Sequence, residues 1–128
     1  MKKFYILIVD DEKDFRDMLK VILKEKLPCH CAEAQDGTEA IAYIKHNPCD
    51  CMILDIRMPK LSGIPVIEET KKIRPDIDIL VVSGWLSDHV LEEAIEKGAT
   101  DYITKPVDDN VLIMKLKTIL GKRGGKKE

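Results

Sequence analysis

Short apolar runs and amphipathic segments alternate along the chain. Phe4–Val9 is a continuous apolar run, which is typical of a strand buried on both faces of a sheet. The next segment spaces its apolar residues at i, i+3, i+4, i+7 and i+8, which predicts a helix that Pro28 ends. The same alternation predicts four more strands, at Cys29–Ala34, Cys51–Leu54, 77–82 and 100–104.

The segments between the later strands are predicted to be helices. Asp36 and Glu39 have the spacing of a capping box, which opens the second helix. Residues 65–73 and 86–97 give the next two helices, and Gly98 is expected to end the second of these.

Strict strand–helix alternation predicts an α/β fold: a five-stranded parallel sheet, doubly wound, with helices on both faces. Five units are too few for an eight-stranded barrel. Asp108 or Asp109 is expected to cap the last helix and Gly121 to end it. Residues 1–120 would then form one domain, followed at 121–128 by a basic Gly- and Lys-rich tail or the start of a linker.

Composition narrows the classes of function. The 128 residues carry a net charge of −2. Without the basic tail, the excess of acidic over basic residues is larger. Direct binding of nucleic acid by this domain is therefore not expected, because such binding depends on clustered Lys and Arg. The first apolar run is too short for an export signal or a membrane span. Four cysteines in a chain with a sizeable core are expected to stay reduced, which favours the cytoplasm.

Polar side chains follow four of the five predicted strands. Asp10 and Asp11 follow the first strand, Asp55 the third, Ser83 the fourth and Lys105 the fifth. The carboxyl ends of parallel strands lie at one edge of a sheet, where ligands bind in open α/β folds. Taken singly, each residue also has an ordinary explanation, such as a helix cap or a turn. Together they predict one site.

Electrostatics indicates what this site needs. Two carboxylates roughly 5 Å apart repel by about 3 kcal/mol at an effective dielectric constant near 20. Three carboxylates must therefore raise a pKa, recruit a cation, or do both. Carboxylate oxygens suit Mg²⁺, and an aspartate can act as a nucleophile toward phosphorus. A metal beside one free carboxylate, with an ammonium and a hydroxyl opposite, predicts phosphoryl transfer.

The sequence resembles the receiver domain of two-component response regulators, from Phe4 to about Leu120. The matching segments are Ile8-Val9-Asp10-Asp11, Leu54-Asp55-Ile56-Arg57-Met58-Pro59, Leu61-Ser62-Gly63, Val82-Ser83-Gly84 and Gly98-Ala99-Thr100-Asp101-Tyr102-Ile103-Thr104-Lys105-Pro106. Each segment is loose alone, but their order and spacing are specific. The resemblance implies the flavodoxin-like strand order 2-1-3-4-5.

The resemblance also implies the chemistry. Asp55 would accept a phosphoryl group from a phosphohistidine on a sensor histidine kinase or a phosphotransfer protein. Asp11, Asp55 and the Arg57 backbone carbonyl would bind Mg²⁺ (or Mn²⁺) directly, and Asp10 would act through a water. Ser83 and Lys105 would hold phosphoryl oxygens. The domain would catalyse only its own phosphorylation and dephosphorylation.

The response to phosphorylation is implied at two residues. Ser83 would move toward the phosphoryl group while Tyr102 turns inward, which shifts a surface over the fourth helix and fifth strand. A downstream protein, a missing output domain or a second copy of the chain would dock there. An ordinary half-buried strand aromatic is the alternative for Tyr102. Lys105-Pro106 is expected to be a cis peptide.

Several residues flank the expected site. Met58 and Pro59 shape the loop after Asp55, Gly84 follows the hydroxyl position, and Pro106 follows the lysine. Arg57 and Trp85 would flank the path of the water that hydrolyses the phosphoaspartate. Both side chains are large, so we expect slower dephosphorylation than in relatives with small residues there. A loop aromatic or a partner-facing anchor is the alternative for Trp85.

The cysteines form two CxC pairs, Cys29 with Cys31 and Cys49 with Cys51. Zinc binding is one interpretation, but the spacing is not CxxC, and the two strands should be separated by the first strand. Alternate residues of a strand share a face, so Cys29 and Cys31 are expected to act as small core-facing side chains. A structural metal or a redox switch is the less favoured alternative.

Three other functions fit the sequence less well than a phosphorylatable receiver. A pseudo-receiver, which docks proteins without phosphorylation, usually lacks one of the acidic, hydroxyl or lysine positions, and all are present here. A Mg²⁺-dependent phosphatase with an aspartyl intermediate would want a second carboxylate at Arg57. A flavin carrier would need a Ser-, Thr- and Gly-rich loop where Asp10 and Asp11 would repel the phosphate.

Overall fold

Five strands and five helices alternate in the computed structural model, which describes residues 3–57, 63–84 and 87–126. In chain order they are β1 Phe4–Val9, α1 Lys13–Lys26, β2 Cys29–Ala34, α2 Gly37–His46, β3 Cys51–Leu54, α3 Gly63–Ile73, β4 Asp78–Ser83, α4 Asp88–Lys97, β5 Asp101–Thr104 and α5 Asp109–Lys126. The strands pair in parallel in the order β2-β1-β3-β4-β5. The predicted fold and strand order are confirmed.

The sheet is covered by helices on both faces, which suits strands β1 and β3 because they are apolar at every position. On β1, Ile6 and Ile8 face α1 and α5, whereas Leu7 and Val9 face α2, α3 and α4. Successive side chains of a strand point to opposite faces, so each apolar run supplies two cores at once. All of β3 is buried, as a strand between two helical layers requires.

Caps place the starts of α2, α4 and α5 and the end of α4 within one or two residues of the predicted positions. The Asp36 side chain accepts a hydrogen bond from the Glu39 N–H, as the capping box predicts. Helix α4 begins at Asp88 because the Ser87 hydroxyl accepts from the Val90 N–H. Asp108, rather than Asp109, caps α5. Gly98 ends α4 with a φ of 126°, a conformation that favours glycine.

The prediction that Gly121 ends the last helix is wrong. Helix α5 continues to Lys126, because Arg123 fastens it to the amino edge of the sheet. The Arg123 guanidinium lies 3.2 Å from Asp50 Oδ1 and 3.0 Å from Asp78 Oδ2, and donates to the Asp76 carbonyl at 2.6 Å. Residues that were expected to start a linker or fray are thus part of the folded helix.

No helix in the described part of the chain is both long enough and apolar enough to cross a bilayer.

Candidate phosphoacceptor site at the carboxyl edge of the sheet

The acids from β1 and β3 meet at the carboxyl edge of the sheet. Val9 and Leu54 are register partners, and the next residue of each strand is an aspartate, so Asp10 and Asp55 emerge side by side. The Asp55 N–H donates to the Val9 carbonyl at 3.0 Å and extends the pairing by one residue. One oxygen from each of Asp10, Asp11 and Asp55 lies within 4.8 Å of the others.

Lys105 closes this cluster from the other side. Its Nζ donates to Asp10 Oδ2 at 2.9 Å and to Asp55 Oδ2 at 3.1 Å. Its main chain is fixed too, because the Lys105 N–H donates to the Ser83 carbonyl at 2.8 Å. The Lys105-Pro106 peptide bond is cis, as predicted.

The two buried carboxylates are held in the same way. In each, Oδ1 accepts from a backbone N–H two residues further on: Glu12 N–H for Asp10 and Arg57 N–H for Asp55, both at 2.8 Å. In each, Oδ2 accepts from Lys105. These local turns fix both carboxylates before any ligand binds.

Charge in the site is not balanced by the lysine alone. Burial raises the pKa of Asp10 above its ordinary value, and the charge of Asp55 adds to this; hydrogen bonds from Glu12 N–H and Lys105 oppose it without cancelling it. Burial lowers the pKa of Lys105, but its contacts with Asp10 and Asp55 outweigh burial, so the pKa is raised overall. One ammonium thus contacts the two buried acids, while Asp11 lies beside them and is exposed, so a further cation would balance the charge of the site.

Ser83 supplies a hydroxyl at the same edge. It is the last residue of β4 and is fully buried. Among the residues that the structure describes, its Oγ has no hydrogen-bond partner. A buried hydroxyl without a hydrogen-bond partner costs free energy, so the Ser83 hydroxyl is available to donate to an acceptor atom of a ligand.

The other predicted site residues are less clustered. Tyr102 is exposed, and its ring centroid lies 5.7 Å from the Lys115 ammonium, on the outer side of β5. Gly84 and the Arg57 side chain are both exposed, and no atom of the described residues lies within 4 Å of where a Cβ at Gly84 would be. The predictions for Met58, Pro59 and Trp85 lie outside the described residues.

Three residues of the first helical turns were not predicted to belong to the site. The Phe15 ring lies under Lys105, with its centroid 4.1 Å from Nζ, and Glu12 Oε1 lies 3.7 Å from the same nitrogen. Arg16 donates to the Asp10 carbonyl at 2.6 Å. Their one sequence signal is position, because the turn that follows Asp11 must cover the carboxyl edge.

The cysteines do not assemble into a zinc site in residues 3–57, 63–84 and 87–126, where the cluster of metal-ligating side chains is that of the three aspartates. Cys29, Cys31 and Cys51 pack with the α1 and α5 core, and Cys49 packs with the opposite core. The expectation that Cys29 and Cys31 face the core is confirmed.

The fold and the site define an α/β protein with an acidic pocket, closed by a lysine, at the carboxyl edge of its sheet. A family model described as "Response regulator receiver domain" matches residues 6–117. The chain therefore belongs to the response regulator receiver domain family. Proteins of this family signal by phosphorylation, and their receiver domains pair with histidine kinases and with output domains.

Individual relatives differ in length. The chain is 36% identical over 114 residues to the chemotaxis protein CheY of Thermotoga maritima, covering 89% of this chain and 95% of that protein. It is 36% identical over 121 residues to the phosphate regulon transcriptional regulatory protein PhoB of Pseudomonas aeruginosa, covering 93% of this chain. The chain spans about half of the length of PhoB (52%).

Solved structures show the same fold. A CheY-like receiver domain protein from Methanospirillum hungatei superposes with a TM-score of 0.88 at 29% identity, covering 98% of this chain and 99% of that one. A two-component response regulator from Clostridium difficile gives a TM-score of 0.89 at 28% identity, covering 94% and 98%.

Proposed function

We propose that this domain accepts a phosphoryl group on Asp55 in a Mg²⁺-dependent reaction and that the phosphoryl group comes from a histidine kinase or a phosphotransfer protein. The observation that carries the proposal is that Lys105 donates hydrogen bonds to two buried aspartates, Asp10 and Asp55, which lie beside the exposed Asp11. Such a site has excess negative charge and an open side, which a divalent cation and an anionic phosphoryl group would satisfy together.

The donor set fits Mg²⁺ or Mn²⁺, because all the available ligands are oxygens. Asp11 and Asp55 would hold the ion directly with the Arg57 carbonyl, and Asp10 would hold it through water. Bound there, the ion would neutralise charge on the phosphoryl oxygens during transfer. Asp11 is exposed while its neighbours are buried, so the ion would enter from its side.

The chain's own groups have distinct tasks in the transfer. A carboxylate oxygen of Asp55 forms the new bond to phosphorus as the bond to the donor imidazole breaks and the imidazole leaves. Lys105 already contacts Asp55 at 3.1 Å and would bind a phosphoryl oxygen. The buried Ser83 hydroxyl would donate to another phosphoryl oxygen and so gain the partner that it lacks among the described residues.

The output of the domain would be a change of shape. The Ser83 carbonyl accepts a hydrogen bond from the Lys105 N–H, directly after β5. Movement of Ser83 would therefore shift β5, on which Tyr102 lies exposed. The proposed docking surface comprises α4, β5 and α5. A downstream protein, an output domain or a second copy would bind there, and the cytoplasm is the proposed compartment, in keeping with four unpaired cysteines.

A phosphoryl mimic tests the proposal without a kinase. The intrinsic fluorescence of Trp85, the single tryptophan, is recorded while Mg²⁺ and then beryllofluoride are added to the full chain. We expect a response to Mg²⁺ and a further response to the mimic, which Asp55→Asn abolishes. Asp76→Asn is the matched control, because it removes an exposed carboxylate at the opposite edge of the sheet and should respond like the native chain. A native chain that binds neither ligand would favour the pseudo-receiver.

The lifetime of the phosphoaspartate is a separate part of the proposal. Arg57 and Trp85 are both large, and they would slow the approach of the hydrolytic water. Replacing both with small polar residues should shorten the lifetime, measured by following loss of the phosphorylated species after the donor is removed. An unchanged lifetime would mean that these side chains do not shield the site.

A further inference from the structure

Two thiols touch each other at the start of the edge strand β2. Cys29 and Cys31 lie on the same face of the strand, and their Sγ atoms are 3.8 Å apart. Both side chains face α1, whose Leu23 carbonyl accepts a weak hydrogen bond from the Cys29 thiol. Cys29 is 7% exposed and Cys31 is half-buried, so the pair lies at the rim of the core.

The pair also borders solvent. A surface cavity of about 480 Å³ is lined by both cysteines and by Lys3 and Lys24, whose side chains are exposed. Burial raises the pKa of the Cys31 thiol to about 12. Burial also raises the pKa of the Cys29 thiol, and the charges of Lys3 and Lys24 partly oppose that rise. The resting pair is therefore a protonated dithiol below an open, positively charged cavity.

The second CxC pair of the chain lacks these features. Cys49 packs with the core under α2 and α3, whereas Cys51 packs with the opposite core. Their thiols donate to the carbonyls of Cys51 and Met52. Both are buried, at 3% and 0% exposure. Equal spacing in sequence thus gives one pair in contact and one pair divided by the sheet.

We propose that Cys29 and Cys31 form a reversible thiol–disulfide site whose reaction partner is a small anionic disulfide. The positive charge of Lys3 and Lys24 over the cavity favours an anionic reagent. The proposal is independent of phosphorylation, because the cysteines pair with Phe4 and Ile6 of β1, away from the end that leads to Asp10.

The reaction balances in two exchanges. First, Cys31 loses its proton and attacks one sulfur of the reagent; a mixed disulfide forms and one small thiol leaves with a proton. Cys29 then attacks the Cys31 sulfur, forms the internal disulfide and releases the second small thiol. Two protein thiols are oxidised and one reagent disulfide is reduced. The second exchange is intramolecular, because the Sγ atoms of Cys29 and Cys31 already lie 3.8 Å apart.

Strand geometry makes the product easy to reduce. Two residues of extended strand span about 6.6 Å between Cα atoms, near the upper limit of about 6.8 Å for a disulfide. Closing the bond must therefore pinch the edge strand, and strained disulfides are the labile, regulatory kind. Because β2 pairs with one strand, β1, it can deform more easily than a central strand.

Glutathione disulfide serves as the probe on the native full chain. We expect free thiols to fall from four to two, with the bond mapped between Cys29 and Cys31 by mass spectrometry, and dithiothreitol should restore all four. The double variant Cys49→Ala/Cys51→Ala should still lose two thiols. Cys31→Ala, at the half-buried position, should form no internal disulfide.

Other outcomes would overturn the proposal. Four remaining thiols, two stable glutathione adducts, or a bond that includes Cys49 or Cys51 would each do so. Mapping on the native chain needs no variant, so a variant that fails to fold does not obscure the result. Phosphorylation of Asp55 is expected to proceed in the oxidised chain, which separates this test from that of the proposed function.

Discussion

Gly63 is the residue at which one added methyl group should disturb both the fold and the site. It is the first residue of α3, and its N–H donates to the carbonyl of Ile56 at 3.0 Å. Ile56 directly follows Asp55, so this contact fixes the backbone that carries the proposed phosphoacceptor. The perturbation is Gly63→Ala.

The cost follows from the space available. A Cβ at Gly63 would lie 2.4 Å from the Cα of Ile56 and 2.5 Å from its Cγ2, whereas carbon atoms in contact prefer about 3.5–4.0 Å. The backbone must therefore separate by about 1 Å. Overpacking of this kind costs about 1–3 kcal/mol, and the stretched hydrogen bond adds about 1 kcal/mol. The higher helix propensity of alanine stabilises the variant by a fraction of a kcal/mol. The net expectation is a loss of about 2 kcal/mol.

Urea denaturation, monitored by circular dichroism, measures the change in the free energy of unfolding. Gly121→Ala is the matched control, because Gly121 lies inside α5 and no neighbour in the described part of the chain lies within 4 Å of where its Cβ would be. That variant should be more stable by up to about 1 kcal/mol. Mg²⁺ should also bind Gly63→Ala more weakly than the native chain. A Gly63→Ala variant as stable as the native chain would refute the close-approach reasoning.

Three further predictions concern charge. Asp10→Asn should raise the stability of the metal-free protein at neutral pH, because burial raises the pKa of Asp10 and the ionised acid is therefore destabilising. The gain should shrink as the pH falls through the pKa of Asp10. Urea denaturation in the presence of a chelator measures the gain, and a loss of stability at neutral pH would contradict the reasoning. Asp11→Asn should have a free energy of unfolding within about 0.5 kcal/mol of the native value, because Asp11 is exposed. The variant should nevertheless lose the rise in melting temperature that Mg²⁺ causes in the native chain. If the variant retains this rise, Asp11 does not belong to the metal site. Arg123→Met should lower the free energy of unfolding by about 2 kcal/mol and reduce helicity, because it removes the contacts with Asp50 and Asp78. The control Lys122→Met, at an exposed neighbouring position, should change neither quantity. Equal stability of the two variants would mean that Arg123 does not anchor α5.

The fold and the location of the site could be predicted because both depend on local patterns. Apolar runs separated by amphipathic segments define a wound sheet, and the residue after each strand then lies at a known edge. Asp10, Asp55, Ser83 and Lys105 could be placed together on that basis. Their hydrogen-bond partners could not, because the partners depend on how helices pack across the edge.

Features that join distant parts of the chain were missed for the same reason. The tail around Gly121 has the composition of a linker, but Arg123 reaches Asp50, 73 positions earlier. Phe15 belongs to the apolar stripe of α1 and packs against its core, but the sequence did not show that its ring also contacts Lys105. The helix α3 begins at Gly63, before the predicted start at residue 65, because a glycine there can approach Ile56 closely.

Phosphorylation by a small donor tests the central claim most directly. The native chain is incubated with acetyl phosphate and Mg²⁺, and the intact mass and the modified peptide are determined. We predict one phosphoryl group per chain on Asp55, none when a chelator removes Mg²⁺, and none on Asp55→Asn. A native chain that stays unmodified after long exposure, or an Asp55→Asn variant that is modified as readily as the native chain, would contradict the account.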